Sequence, residues 1–247
     1  HGYSSDSVFA QIPEYKIDTR KSSFFADSTI FYNKYLFTKP IIGKVLNKIA
    51  KGKQSELYPK FISYSKDVEI QEIFENIDYR GGYKLQGKEF VADGGNYAEA
   101  KIVFKREGQD VFIANANRFS IDSDKIVAQD AGVKIFFDSD SIYHGNLQFK
   151  YIDSKRQLQL YRDATGLSNA TMLNTYHNIT MDFELLSWNI DEDIITFGSL
   201  PGTAESKVTF ESVARFDSAL HIMLGGIDAV HPLFLLNNYV QEKQEDK

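Results

Sequence analysis

The sequence predicts a mainly β protein, an antiparallel meander closing as a sandwich, barrel or open β-roll, with a short helix near residues 40–53 and two helices at the C-terminus. Three observations carry that expectation. Aromatic residues are abundant, with 19 Phe and 14 Tyr in 247 residues, and bulky rings favour the pleated, half-buried surface of a strand. Apolar and polar residues alternate through most of the chain, which is the period of a strand with one buried face. Asp, Ser and Gly interrupt that alternation at short intervals, as turns require.

Taken in order, Val8 to Phe37 alternates in the manner of two or three strands. From Pro40 to Lys53 the period changes: Ile41, Ile42, Val45, Leu46 and Ile49 fall at helical spacing, Lys44, Lys48, Lys51 and Lys53 take the other faces, and Gly52 stands at the end. This reads as an amphipathic helix capping a sheet with its lysines in water. Gly81-Gly82 marks a tight turn or bulge between extended segments; it is not a phosphate loop, because Lys84 to Val91 alternates as a strand where a helix would be needed. Ala100 to Phe104 and Val111 to Ala114 flank Glu107-Gly108 as a hairpin.

Phe119–Asp122, Lys125–Gln129, Val133–Phe137, Ser141–His144, Leu147–Tyr151 and Leu158–Tyr161 read as short strands, with turns that include Gly145-Asn146. Parallel pairing would need crossover helices for which these spacings leave no room. Thr180 to Asn189, Ile194 to Phe197 and Val208 to Phe210 continue the strand pattern, and Glu211 to Gly225 and His231 to Lys243 turn helical. The expected organisation is 1–60 as N-terminal strands plus helix, 61–210 as the main β domain and 211–247 as a helical segment.

The composition excludes several functions. A formal charge of −6 leaves no broad cationic face to neutralise phosphates, so no nucleic-acid partner is expected. Zero cysteines remove disulfides, thiolate metal sites and cysteine nucleophiles. No apolar run is long enough for a transmembrane segment. The chain opens with His1-Gly2-Tyr3 and is expected to be a processed or excised piece of a larger protein.

Reactive groups are sparse. The five histidines show no metal-ligand spacing, although a meander could bring His144 near His177. Asp122, Asp124, Asp138, Asp140, Asp191, Glu192 and Asp193 lie in expected turns, where aspartate bonds its own backbone, and the EF-hand calcium pattern is absent. No metal or other cofactor is expected. Asp182 and Glu184 share a strand face at i and i+2, with Trp188 nearby as a sugar platform, so a glycoside hydrolase or glycan-binding site is the alternative reading. The plainer reading makes them the outer face of a strand whose inner face is Met181, Phe183 and Leu185. There is no G-x-S-x-G elbow.

With Asp140-Ser141-Ile142-Tyr143-His144, Leu147-Gln148-Phe149-Lys150-Tyr151, Tyr176-His177 and Phe210-Glu211-Ser212 in view, the chain resembles large uncharacterised bacterial β-rich proteins of envelope type. The strand rhythm from Phe119 to Tyr161 is also similar to the open β-jellyroll modules of lipopolysaccharide transport proteins, in which stacked strands enclose an apolar groove for acyl chains. That resemblance implies a periplasmic or cell-surface location and a lipid, a glycan, the rest of a parent chain or an envelope protein as partner. Fold alone does not give function.

The expected function is therefore a non-catalytic structural or ligand-binding module of a larger bacterial envelope or surface protein. Phe104, Phe112, Phe119, Ile135, Phe137 and Phe149 are expected to be core or groove lining, with Phe112, Phe119, Phe137, Phe149 and Trp188 as the ligand-binding candidates. An open groove requires that some of them be reachable from solvent, and a sugar platform requires an exposed Trp188.

Overall fold

A computed structural model describes residues 4–48, 59–87, 89–94, 99–162, 170–200, 208–213, 222 and 232–245. The N-terminal strands are β1 (Val8–Gln11), β2 (Lys16–Ile17), β3 (Ser23–Asn33), β4 (Ile41–Lys48), β5 (Lys60–Ser63) and β6 (Val68–Phe74). The middle of the chain supplies β7 (Ile77–Gln86), β8 (Glu89–Asp93), β9 (Ala100–Arg106), β10 (Gln109–Ala116), β11 (Arg118–Ile121), β12 (Lys125–Phe137) and β13 (Asp140–Ile152). Then come β14 (Gln157–Tyr161), β15 (Met172–Asn174), β16 (Ile179–Asp182), β17 (Leu185–Asn189), β18 (Ile195–Gly198), β19 (Thr209–Ser212) and the helix α1 (Pro232–Glu245).

The pairing is antiparallel, and its registers show a meander of long strands, several of them broken halfway. β7 pairs β9 through Ile77 to Arg80 and β8 through Gly82 to Gln86. β8 and β9 are thus the two halves of one interrupted strand. β10 and β11 are likewise halves, pairing β9 and β8 on one side and the two halves of β12 on the other. β12 and β13 run through unbroken, and β14 with β15 forms the next divided strand. Because β7 and β12 continue past the breaks, β7, β8, β11, β12, β10 and β9 close a six-strand ring of hydrogen bonds.

Two layers result, which ring contacts demonstrate. Phe112 pairs Ile135 and Phe149 pairs Ala128, so a straight strand of ~3.3 Å per residue would hold the two rings about 23 Å apart along β12. Their centroids lie 6.0 Å apart. The strands therefore bend, and the half carrying β9 and β10 faces the half carrying β8, β11 and β14. The bend, called the fold line below, passes through Gly81-Gly82 of β7. A Cβ on Gly81 would stand 2.3 Å from the Tyr79 hydroxyl, and one on Gly82 would stand 2.5 Å from the Asp93 carbonyl, so only glycine fits.

Alternation survives the bend because bulges correct its phase. Ile126 and Ala128, then Ala131, Val133 and Ile135, point inward from β12; Ile142 and His144, then Leu147, Phe149 and Tyr151, do so from β13. One extra residue at each bulge moves the inward set from even to odd numbers and keeps it in the core.

Two expectations are corrected. Residues 41–48 form β4, not a helix: the strand lies between β3 and β5, and Gly43 is pressed so close to the Phe61 ring and the Ile62 carbonyl that a Cβ would collide with both. Pairing on both edges overrides the local helical period. Residues 49–58 lie outside the described residues. The four segments assigned within 125–151 are two long strands, since Gly145-Asn146 is a bulge inside β13 rather than a turn.

At the C-terminus, α1 matches the second expected helix. Of the first, Glu211 and Ser212 belong to β19 and residues 214–221 lie outside the described residues. The chain divides into two compact units, His1–Phe210 and Glu211–Lys247. β4 pairs β5, so the N-terminal strands share a sheet with the main body. Among the described residues no helix is long and apolar enough to cross a membrane.

Candidate functional site

The interior between the layers is an apolar column. Phe104 meets Phe112 at 5.2 Å edge-on, Tyr151 at 4.9 Å and Phe149 at 6.3 Å, and Phe119 meets Phe149 at 5.9 Å. Each such buried ring is worth about 2 kcal/mol of transfer free energy. The N-terminal end of the column continues through Phe31, Phe61, Tyr83 and Phe90. Phe104, Phe112, Phe119 and Ile135 are 0% exposed and Phe149 1%. These side chains fill the interior themselves. They are core, and the open groove expected at them is not what the structure holds there; Phe137 is partly buried against the same core, 6.1 Å from the Tyr176 ring.

Polar atoms in the column are matched. Tyr79 donates its hydroxyl to the Gly82 carbonyl at 2.5 Å, and Tyr151 donates to Asp153 at 3.1 Å. Burial pushes both phenols well above their ordinary range, so neither is a base at neutral pH.

Opposite the fold line, no strand among the described residues passes from one layer to the other, and two arginines clasp the seam between them. Arg106, where β9 enters its turn, donates Nε to the Ile190 carbonyl at 3.0 Å, Nη2 to the Glu192 carbonyl at 2.7 Å and Nη1 to the Asp193 carboxylate at 2.7 Å. Its guanidinium lies 5.7 Å over the Trp188 ring. Arg156, between β13 and β14, donates Nη1 to the Glu75 carbonyl at 3.0 Å and to the Tyr151 hydroxyl at 2.9 Å, and its remaining donors hold Asp191. Sequence reasoning missed both clasps. Arg106 reaches residues 84 to 87 positions away and Arg156 reaches Asp191 and Glu75, 35 and 81 positions away, relations that scattered basic residues do not disclose.

The carbohydrate site is not assembled. Trp188 is 5% exposed, its indole N–H donates to the Glu192 carbonyl at 2.8 Å, and its ring is covered by Arg106. A sugar cannot stack on it. Asp182 is ion-paired with Arg162, and Glu184 accepts the Leu200 N–H at 2.9 Å. The strand breaks at Phe183, between β16 and β17, so the shared i, i+2 face expected of the two acids does not form.

The other acids are spent on turns. Asp122 accepts the Ser123 N–H, Asp124 accepts both the N–H and hydroxyl of Ser154, and Asp140 accepts the Thr175 hydroxyl. His177 bonds Asn174, whereas His144 bonds the Ala170 carbonyl and the Asn146 N–H. Among the described residues no group of three or more His, Asp or Glu could hold a metal ion.

The N-terminal end differs from the sealed middle. Phe24 packs on the core from one side, yet its other side meets Tyr15 at 6.2 Å, and Tyr15 and Ile17 are 62% and 61% exposed. On the opposite face Phe25 pairs Leu46 across β3 and β4, both partly in water, beside a hollow of about 170 Å³ lined by Pro13, Glu14, Lys16, Phe25, Asp27 and Ser28. Apolar surface continuous with the core here reaches solvent.

No protein-family model and no curated protein matches the chain. Among solved structures it is similar to LptH, the LptA-homologous periplasmic component of the lipopolysaccharide transport device of Pseudomonas aeruginosa, at 9% identity and a TM-score of 0.24, over 83% of this chain and 93% of that one. Superposition that loose bears on neither ligand nor function, which the geometry of the chain itself must carry.

Proposed function

We propose that the chain is a non-catalytic structural module of a larger bacterial envelope or surface protein, and that it receives a lipid chain or an apolar partner segment at the N-terminal end of its roll. The observation carrying this reading is the contrast along the column: its middle is filled by its own side chains, while Tyr15, Ile17 and Phe24 extend the same apolar surface into solvent. Exposed rings continuous with a core are where an acyl chain or strand gains buried area without unfolding its host. The envelope assignment rests on the resemblance of the residue phrases given above.

Titrating the isotope-labelled chain with a monomeric short-chain phosphocholine tests the proposal. Amide shifts confined to residues 15–17 and 24–25, and lost in Ile17→Asp, are the expected result. No shift at saturating lipid, or shifts centred on Phe104 and Phe149, would overturn it. Because Ile17 is 61% exposed, its replacement leaves the fold intact and isolates the binding readout.

A further inference from the structure

Among the described residues one buried imidazole, that of His144, lies at the fold line, and its ring bonds a bulge there. Along the β12–β13 ladder Ile126 faces Tyr151 and Ala128 faces Phe149, then Ala131 faces Leu147, then Val133 faces His144 and Ile135 faces Ile142. Between Ala128 and Ala131, β12 carries one residue more than its partner. Between His144 and Leu147, β13 does. The two bulges oppose each other and cancel, so pairing resumes in its original register on the far side of the bend.

Gly145 and Asn146 have no place in that register. The Asn146 N–H, turned out of the ladder, donates at 3.0 Å to Nδ1 of His144, and the Nε2 of the same ring lies 2.8 Å from the Ala170 carbonyl. A backbone N–H only donates and a carbonyl only accepts. Nδ1 is therefore bare and Nε2 carries the proton: this contact set demands the neutral ring and one tautomer of it.

We propose that His144 is an acid-released pin of the fold line: when its ring takes a second proton, Nδ1 becomes a donor, opposes the Asn146 N–H, and frees the bulge at which β13 bends between the layers. Among the described residues no carboxylate faces the ring, and the Ala170 carbonyl is the acceptor it meets. β12 presents Val133 and Ala131 opposite it, Ala170 presents a carbonyl, and the charge bearing on it is Arg162 at the end of β14, itself paired with Asp182 of β16. Burial first, with the Arg162 charge adding to it, holds the imidazole below its ordinary range although the Ala170 carbonyl favours the charged form. The unfolded chain therefore protonates before the folded one. Stability from this ring is complete above about pH 6.5, and it is lost as pH falls from there through the lowered folded value.

Two measurements on the intact chain test the pin. The His144 ring resonances, followed by NMR, titrate below the ordinary histidine value, and the Asn146 amide loses about tenfold or more of its hydrogen-exchange protection, after correction for intrinsic rate, between about pH 7 and pH 5. In His144→Asn, whose Oδ1 can replace Nδ1 as acceptor but does not titrate, that extra loss disappears. Ordinary titration of His144 with constant Asn146 protection would overturn the proposal, as would an equal loss of protection in His144→Asn. Should that variant fail to fold, the wild-type titration and exchange decide by themselves.

Discussion

The fold line and the seam close the same two-layered roll by opposite means. At the fold line β7, β12 and β13 run through from one layer to the other, and a glycine pair lets β7 approach the Tyr79 hydroxyl, Ala100 and the Asp93 carbonyl. At the seam no strand among the described residues crosses, and long side chains reach over instead, Arg106 to the Ile190–Asp193 turn and Arg156 to Glu75 and Asp191. The difference teaches where the roll tolerates change. An edge shaped by steric exclusion fails abruptly, whereas an edge held by hydrogen bonds weakens one contact at a time.

Gly81→Val gives the largest expected effect. Its Cβ would lie 2.9 Å from the Ala100 Cβ as well as 2.3 Å from the Tyr79 hydroxyl, and neither neighbour is a flexible surface group. A loss of about 3 kcal/mol or more in urea unfolding is expected, as for an overpacked core. A loss below about 1 kcal/mol would show that β7 can bend without glycine and would remove the steric account of the fold line.

Arg106→Ala comes second. Its three nitrogens serve two buried-side carbonyls and one carboxylate, and the Trp188 ring loses its cover. A cost of about 2 kcal/mol is expected, with increased Trp188 fluorescence quenching by iodide as the seam admits solvent. Arg156→Ala should cost a similar amount, with no relief from the left-handed φ of 50 at this position, because alanine keeps the Cβ that is disfavoured there. If the double variant costs no more than the single ones, the two arginines close one cooperative seam; a simple sum would make them separate surface contacts.

Alternation along the chain announced the strands, and it announced most of the core: Phe104, Phe112, Phe119, Ile135 and Phe149 are inward because every second residue is. What stayed illegible was how far each strand runs. Gly145-Asn146 has the composition of a hairpin turn, yet the opposed bulge in β12 absorbs it within β13, a compensation that depends on a partner strand and has no local signature. Pro40 to Lys53 erred for the same reason, since helical spacing at Ile41, Ile42, Val45 and Leu46 is outweighed by pairing on both edges of β4. The expected site around Trp188 failed because burial of an indole depends on Arg106, 82 positions upstream by number, and spacing within one strand says nothing of what covers it.

The smallest effect concerns a bulge on the outer surface, and it sharpens the contrast with the pinned bulge at the fold line. Asp78 of β7 accepts the N–H of Glu72 at 3.0 Å, where β6 bulges against β7, and the Lys105 ammonium pairs with the same carboxylate. Burial pushes Asp78 up, but the Lys105 and Glu72 hydrogen bonds prevail and hold it below the usual carboxylate range. Its folded value is thus depressed, so its contribution is present above about pH 4 and is lost as pH falls through the folded value, well below the window in which His144 acts. Because both partners are about a third exposed, Asp78→Asn should cost only about 0.5 kcal/mol at neutral pH. An acid-unfolding profile with two separated steps, the upper one absent in His144→Asn and the lower one reduced in Asp78→Asn, is the outcome that distinguishes a bulge held by a buried neutral ring from one held by a solvated charge. A single step common to all three proteins would mean that neither bulge opens before the roll unfolds as a whole.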